Sequence, residues 1–304
     1  MLRRAILRLA ESGSVRRAVG RWGRPLGAYR FVAGDSVADA VAAVRRLRER
    51  GLEATLDHLG ESVTREAEAR AAGAAYLEAL DALQRAGVES HVSLKLTQMG
   101  LDLSEDLCRE VTWPILERAE ALGSFVRIDM EDSAHTEATL RFFREMRRRT
   151  AHVGVVLQSY LYRSGEDLRR LAEEFSGLNV RIVKGAYLEP PEVAFPAKAD
   201  VDRNYLDLVR RAWDAGAYPA VATHDAAIIA AVREEASRRG LGRERFEFQM
   251  LYGIRPALQE ALAQAGYRVR VYVPYGPDWY AYFMRRLAER PANVWFFLSS
   301  LTRR

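Results

Sequence analysis

The stretch FVRIDM, residues 125–130, alternates apolar and charged residues along a short, β-rich run. A two-residue period indicates a β-strand, because successive strand side chains point to opposite faces. The apolar residues would share one face, and Arg127 and Asp129 would share the other. Apolar side chains pack under helices, so the two charged residues are expected inside the structure that the strand encloses.

Similar runs recur from residue 50 onward, and a longer amphipathic stretch follows each one. The predicted strands span 52–57, 91–96, 125–130, 153–158, 179–184, 219–224, 246–251 and 268–274. The predicted helices span 64–86, 104–122, 135–149, 164–176, 201–215, 225–239, 256–265 and 279–290. Strands that alternate with helices in this way predict an α/β fold, a TIM-like (β/α)₈ barrel. The same alternation turns Ser93, Lys95, Gln158, Arg181, Arg270 and Tyr272 into its interior.

A further predicted helix at 36–50 precedes the first strand. We therefore divide the chain into an N-terminal helical arm, residues 1–50, and a catalytic barrel, residues 51–304. Residues 1–27 contain seven arginines and a single acid, Glu11. Such a basic segment could lie on an anionic membrane surface, and a solvated helical arm explains it equally well.

Composition narrows the class of protein. The 304 residues, 49% of them hydrophobic, suffice for one barrel with an extension. No apolar run approaches the roughly 18 residues of a membrane-spanning helix, so we expect a cytoplasmic protein. One cysteine and five scattered histidines predict neither a disulfide nor a metal site. Acidic residues are interleaved with basic ones despite the net charge of +5, so no nucleic-acid partner is expected.

Polar residues gather at the C-terminal ends of the predicted strands, where barrels of this type carry their active sites. They are Lys95, Asp129, Gln158, Lys184, His224 and Tyr272. Singly, such a residue is more often a helix cap or an ion-pair partner, and Asp225 can be interpreted as the N-cap of the next helix. Together they predict a polar site at one end of the barrel.

The segment KGAY, residues 184–187, combines a cation, a glycine and an aromatic ring where the fifth strand ends. This combination suits an anionic, planar ligand, because Lys184 can meet a phosphate and Gly185 permits close backbone approach. A plain turn after a strand explains the glycine equally well. The sequence contains neither a GxGxxG motif nor a P-loop, which disfavours a Rossmann-type dinucleotide site and a Walker-type nucleotide site.

The last predicted helix places Tyr282, Arg285, Arg286 and Glu289 on one stripe. A polar stripe usually faces water. Two adjacent arginines can also grip a small carboxylate, with the glutamate offsetting part of their charge.

The chain resembles the proline dehydrogenase family in motifs that follow one another in strand order. They are SLKL (93–96), RIDME (127–131), LQSYLYR (157–163), RIVKGAY (181–187), ATHD (222–225), EFQMLYG (247–253), VYVPYG (271–276) and YFMRRLAE (282–289). The resemblance extends from about residue 31 to residue 298. An ordered series of this kind is far more specific than any one motif.

The resemblance implies a distorted barrel that binds FAD noncovalently and oxidises L-proline to Δ1-pyrroline-5-carboxylate. This is the first step of proline catabolism, and the electrons pass to a membrane quinone. Peripheral membrane contact and a pyrroline-5-carboxylate dehydrogenase partner are further expectations. One departure is Asp225, where relatives often carry asparagine.

The resemblance also implies roles for individual residues. Lys95, Arg285 and Arg286 would hold the substrate carboxylate, while Asp129, Tyr272 and Tyr282 would line the proline ring. The aromatic ring of Tyr282 suits proline better than hydroxyproline. Arg181 would lie beside the reactive flavin nitrogen, paired with Glu289, and with Asp129 forms the expected catalytic pair. The expected FAD contacts are Met130, Gln158, Arg181, Lys184, Gly185, Ala186, Tyr187, Thr223, His224 and Glu289.

Two other functions remain compatible with the residues. A lysine Schiff-base enzyme of the aldolase type could use Lys95 or Lys184 as its nucleophile, and it would be colourless. A non-catalytic flavin-binding barrel would be yellow, but proline would not bleach it.

Overall fold

The computed structural model describes residues 28–289, with side chains described for residues 29–286. Its strands are β1 Glu53–His58, β2 His91–Leu94, β3 Val126–Ile128, β4 Val153–Gln158, β5 Asn179–Val183, β6 Tyr218–Ala222, β7 Glu247–Leu251 and β8 Val269–Tyr275. Its α-helices are α1 Val37–Arg48, α2 Glu66–Arg85, α3 Glu105–Ala121, α4 Thr136–Arg147, α5 Ser164–Glu174, α6 Lys198–Asp214, α7 Ala226–Arg238, α8 Pro256–Gln264 and α9 Trp279–Glu289. Short 3₁₀ turns lie at Ala28–Arg30 and Arg243–Arg245.

The eight strands pair in parallel in chain order, and β1 pairs with β8 to close the barrel. The predicted (β/α)₈ barrel is therefore confirmed, with element ends within a few residues of those expected. The third strand is shorter than FVRIDM, since it ends at Ile128. The ladder nevertheless continues past it, because the backbone N–H of Asp129 donates to the carbonyl of Leu94 at 2.8 Å.

The alternation in FVRIDM is also confirmed. Val126 and Ile128 are fully buried in the main apolar core, between the sheet and the helices. Arg127 is buried inside the barrel, where Nη1 donates to the carbonyls of Val155 and Asn179 at 3.0 and 2.8 Å. The neighbouring strand accommodates this guanidinium with Gly154, since a Cβ there would lie 2.6 Å from the Asn179 oxygen and would also clash with Arg127.

The lower part of the barrel, at the N-terminal ends of the strands, is filled by charged side chains rather than by branched apolar ones. Arg270 donates from Nε to Glu247 at 3.0 Å and from Nη2 to Glu53 at 2.6 Å. Burial alone would raise the pKa of Glu247, but Arg270 outweighs it and lowers that pKa to about 2. A buried charge requires a partner of this kind. The polar interior extends from this pair toward the C-terminal end of the barrel.

The segment before β1 packs against the barrel. Helix α1 starts at a capping box in which Ser36 and Asp39 satisfy each other's backbone N–H groups. Its residues Ala40 and Val44 are fully buried in the same core as the barrel strands. Farther upstream, Phe31 packs on Phe283 of α9 in a second apolar cluster.

Within the described span, no helix is both long and apolar enough to cross a bilayer. The basic segment 1–27 lies outside the described residues, so the predicted division into arm and barrel remains a prediction.

Candidate active site

A cavity of about 700 Å³ opens at the C-terminal ends of the strands. This volume lies within the range of small-molecule sites. The predicted site residues that line it are Lys95, Asp129, Met130, Gln158, Arg181, Lys184, Gly185, Ala186, Tyr187, Thr223, His224, Tyr272, Tyr282, Arg285 and Arg286. The side chain of Glu289 lies outside the described residues, so its predicted pairing with Arg181 stays a prediction.

Asp129 is the hub of the cavity floor. Its Oδ1 accepts from Arg181 Nη1 at 2.6 Å and from Ser93 Oγ at 2.8 Å. Its Oδ2 accepts from the Tyr272 hydroxyl at 2.8 Å and lies 3.4 Å from Lys95 Nζ. Burial opposes ionisation of Asp129, but Arg181 and Lys95 outweigh it and lower the pKa of this carboxyl. The floor therefore holds a fixed anion between two cations.

Lys95 lies among three carboxylates. Its Nζ is 3.5 Å from Asp57, 3.4 Å from Asp129 and 3.7 Å from Glu61. Burial would lower the pKa of Lys95, but Asp57 and Glu61 reverse this and hold it well above the usual value. The ammonium is accordingly protonated and fixed in place.

Glu61 lies in the loop between β1 and α2 and reaches over this end of the cavity. Arg285 of α9 donates to it from both terminal nitrogens, at 2.6 and 3.2 Å. The next residue of the helix, Arg286, lies over the Tyr282 ring at 5.1 Å from its centroid. A carboxylate is thus already bound between Lys95 and Arg285, which are two of the three cations predicted to hold one.

The other end of the cavity carries a second charged cluster. Lys184 bonds to Asp202 at 2.5 Å and to Asp225 at 2.9 Å. The hydrogen bond from Lys184 lowers the pKa of Asp225 to about 2. Asp225 also accepts from the backbone N–H of Ala227 at 3.1 Å, which confirms its interpretation as the N-cap of α7.

Gly185 is required by local geometry. Its φ of +116° is unfavourable for other residues, and a Cβ there would lie 2.5 Å from Cε1 of Tyr160. The backbone N–H of Tyr160 also donates to the Lys184 carbonyl at 2.9 Å, so the ring is held against the turn. The glycine alone is therefore no sign of a ligand.

Two further side chains are fixed by backbone groups. Nε2 of His224 accepts from the Leu251 N–H at 2.9 Å. Nε2 of Gln158 donates to the carbonyl of Glu131 at 3.1 Å, which orients the amide so that Oε1 is the remaining polar atom. That oxygen is buried and accepts no hydrogen bond from the described residues. It is an acceptor available for a donor within the cavity.

Sequence reasoning missed three residues of this network, which are Asp57, Glu61 and Gln249. Asp57 and Gln249 follow the same alternation that revealed Asp129, in LEATLD and FEFQML, so their interior position was available from the pattern. Glu61 follows no periodic pattern, because a loop places it.

A family model for proline dehydrogenase matches residues 40–298. Proline dehydrogenase 1 of Bacillus subtilis is 44% identical over 304 residues, which cover 100% of both chains. The chain belongs to the proline dehydrogenase family. Proline dehydrogenase of Deinococcus radiodurans is likewise 44% identical, over 99% of this chain and 98% of its own. These end-to-end matches to monofunctional members confirm the resemblance drawn from the motifs.

Solved structures match the same family fold. The structure of proline utilization A (PutA) from Bdellovibrio bacteriovorus, inactivated by N-propargylglycine, superposes with a TM-score of 0.83 at 27% identity. The match covers 91% of this chain and 34% of that one. The chain thus spans about a third of the solved PutA chain.

Proposed function

We propose that the protein oxidises L-proline to Δ1-pyrroline-5-carboxylate with noncovalently bound FAD, as the first step of proline catabolism. Family membership and the full-length relatives support proline oxidation. The single observation that carries the proposal in this molecule is the bound Glu61 carboxylate. It lies between Lys95 and Arg285, beside the Asp129–Arg181 pair. A proline whose carboxylate bound at this position would have its ring over the cavity floor.

The cavity suits a flavin in both size and donor pattern. The buried acceptor Oε1 of Gln158 matches a ring N–H, and Lys184 can meet the diphosphate. Met130, Gly185, Ala186, Tyr187, Thr223 and His224 would complete the FAD contacts. A bound flavin would supply the acceptor for a hydride from the carbon beside the proline nitrogen. No cysteine or histidine lies in an attachment motif, so the cofactor would be held without a covalent bond.

The chain's own residues would orient the substrate. Lys95, Arg285 and Arg286 supply charge-assisted bonds to the carboxylate, and Tyr272 and Tyr282 supply ring faces around proline. Fixing one end of a small, rigid substrate converts binding energy into orientation of the reacting carbon. Tyr282 is 5% exposed and packs in the second apolar cluster, so a ring hydroxyl on that side would be poorly accommodated.

The electrostatics suit the charge that develops during oxidation. Proline loses a hydride and, from its nitrogen, a proton, which leaves an imine whose protonated form is positive. Asp129 is ionised in the cavity floor and would stabilise this positive charge. Arg181 would supply positive charge beside a flavin bound in the cavity, and these are the expected catalytic roles of the pair.

A Schiff-base mechanism finds no support at Lys95. An amine must be neutral to attack a carbonyl, whereas Asp57 and Glu61 hold the pKa of this ammonium well above its usual value against the effect of burial. Lys184 is likewise engaged by two carboxylates.

The electron acceptor and partners belong to the same proposal. We infer a membrane quinone as acceptor, with the basic segment 1–27 making peripheral contact with the inner face of the cell membrane. We also propose that a pyrroline-5-carboxylate dehydrogenase takes the product onward.

The test combines the product with the cofactor. L-Proline and a soluble electron-accepting dye should yield one pyrroline-5-carboxylate per two-electron equivalent, measured by mass spectrometry. Acid precipitation should release all yellow colour into the supernatant as FAD. Colour retained in the pellet would refute noncovalent binding. A lysine adduct after borohydride treatment, with no pyrroline product, would favour the aldolase-type function instead.

A further inference from the structure

Gln249 of β7 lines the cavity, and Glu247, two residues earlier in the strand, continues the polar interior beneath it. Arg181 Nε donates to Gln249 Oε1 at 2.5 Å, and Gln249 Nε2 donates to Glu247 Oε1 at 2.5 Å. Glu247 in turn accepts from Arg270 Nε at 3.0 and 3.3 Å. Both Gln249 and Glu247 are 3% exposed. A chain of buried hydrogen bonds therefore links Arg270 in the lower barrel to Arg181 at the site.

The donors and acceptors in this chain of hydrogen bonds allow only one orientation of the Gln249 amide. Arginine can only donate, at both ends. Arg270 overcomes the effect of burial and lowers the pKa of Glu247 to about 2, so this carboxylate only accepts at neutral pH. The amide of Gln249 must therefore turn its NH₂ toward Glu247 and its oxygen toward Arg181. An amide is otherwise free to exchange these two ends by rotation.

We propose that Gln249, oriented by Glu247, is a positioning residue for Arg181. The inference rests on the proposed flavin chemistry. Gln249 holds Nε of the guanidinium, while Asp129 holds Nη1 at 2.6 Å. Nη2 forms no hydrogen bond with the described residues, and Arg181 lines the cavity. Ser93 Oγ also accepts from Nη1, at 3.1 Å. These three acceptors fix the guanidinium plane, and the third nitrogen would be left for the flavin.

Gln249→Leu removes one anchor at similar volume and leaves the Arg270–Glu247 pair intact. The cation would then be less well placed to stabilise the reduced flavin. We expect the equilibrium for flavin reduction to become about tenfold less favourable, which is about 30 mV for a two-electron couple. The rate constant for reduction by saturating L-proline should fall at least about tenfold, while KM for proline changes less than about threefold, because Lys95 and Arg285 are untouched.

Gln249→Glu gives a readout that a merely structural role would not produce. The new carboxylate faces Glu247, and two adjacent carboxylates hold one proton between them until the pH is high enough to remove it. While the proton is present, the side chain can donate to Glu247 and accept from Arg181, as glutamine does. The potential of this variant should match the wild type at low pH and diverge from it as the pH rises.

The matched control is Gln98→Leu. Gln98 is also a buried glutamine, and it donates to the His58 carbonyl at 2.7 Å, but it does not contact Arg181. It should lower Tm without moving the flavin potential. An unchanged potential and reduction rate in flavin-loaded Gln249→Leu would overturn the proposal, as would an equal shift in the control. If Gln249→Leu fails to fold, the pH-dependent difference in Gln249→Glu decides, and a parallel pH profile refutes it. Wild-type protein that binds no flavin would instead refute the proposed function.

Discussion

At the scale of single residues, the cations of the cavity are paired with carboxylates of the protein's own side chains. Glu61 binds Arg285 and lies 3.7 Å from Lys95. Lys95 and Arg285 oppose the effect of burial and lower the pKa of Glu61, so it stays ionised at neutral pH. A substrate carboxylate must therefore enter a site whose positive charge is already partly neutralised. Arg286, which lies over the Tyr282 ring, adds the further cation.

Replacing Arg286 tests this carboxylate site. Loss of one partner of a buried charge pair commonly costs about 2 to 5 kcal/mol, so Arg286→Met should lower kcat/KM for L-proline at least about thirtyfold. Pyrrolidine has the reacting ring but no carboxylate, so its slow turnover should be much less sensitive. Steady-state kinetics on protein with checked flavin content would measure both.

The matched control for this substitution is Arg233→Met in α7, where the guanidinium lies over the Tyr267 ring on the outside of the barrel. It should leave both turnovers unchanged. Equal losses for proline and pyrrolidine in Arg286→Met would mean that this cation serves the fold or the flavin rather than the substrate.

At the scale of elements, the C-terminal ends of the strands and the turns that follow them position the polar side chains of the cavity. The turn after β5 is tightly constrained, because Gly185 has φ +116° and meets the Tyr160 ring. The adjacent Lys184 reaches Asp202 and Asp225 from this turn. Its geometry therefore positions the charged cluster at the far end of the cavity.

Gly185→Ala should be more disruptive than the same substitution at a positive-φ glycine that has open space around it. A Cβ would add a clash with Tyr160 to the unfavourable φ, so we expect a loss of about 2 to 4 kcal/mol in unfolding free energy and weaker FAD binding. Gly216→Ala is the matched control, because Gly216 has φ +69° but a Cβ added there would meet no described atom within 4 Å. It should cost about 1 kcal/mol and leave FAD affinity unchanged. Equal destabilisation and equal FAD affinity in the two variants would contradict this account of the turn.

The elements also show what sequence can predict. Alternation in FVRIDM was sufficient to place Arg127 and Asp129 inside the barrel, because a buried charge on the helix side would lack partners. The same rule applied to β1 and β7 reaches Asp57 and Gln249. It cannot reach Glu61, which depends on the path of a loop in which Ser62 adopts φ +57°. Nor can it supply the hydrogen-bond directions that link Arg270 to Arg181, since these depend on which atoms meet across the barrel.

At the scale of the whole molecule, residues before the barrel are tied to its last helix. Phe31 and Val32 are buried against the cluster that contains Trp279 and Phe283. The backbone N–H of Ala33 donates to the Pro274 carbonyl at 2.8 Å. This segment therefore packs beside the helix that places Tyr282 and Arg285 in the site.

A shortened protein that begins at Ala28 should separate membrane contact from catalysis. It keeps Phe31 and Val32, so we expect wild-type kcat/KM with L-proline and a soluble dye. It should lose the binding of the full chain to phosphatidylglycerol vesicles at low salt, because the seven arginines of residues 1–27 are gone. Phosphatidylcholine vesicles are the control, since electrostatic binding requires an anionic surface. A folded but inactive shortened protein would contradict the separation, and full-length protein that ignores anionic vesicles would refute the membrane contact.

The most direct test of the central claim is the visible spectrum of the purified protein before and after L-proline is added without oxygen. A flavin in this cavity predicts a yellow protein whose visible absorbance is bleached by proline, because reduction removes the oxidised flavin chromophore. Pyrrolidine at the same concentration should bleach it far more slowly. A colourless protein would contradict the assignment of the cofactor, and a yellow protein that proline leaves unbleached would contradict the assignment of the substrate.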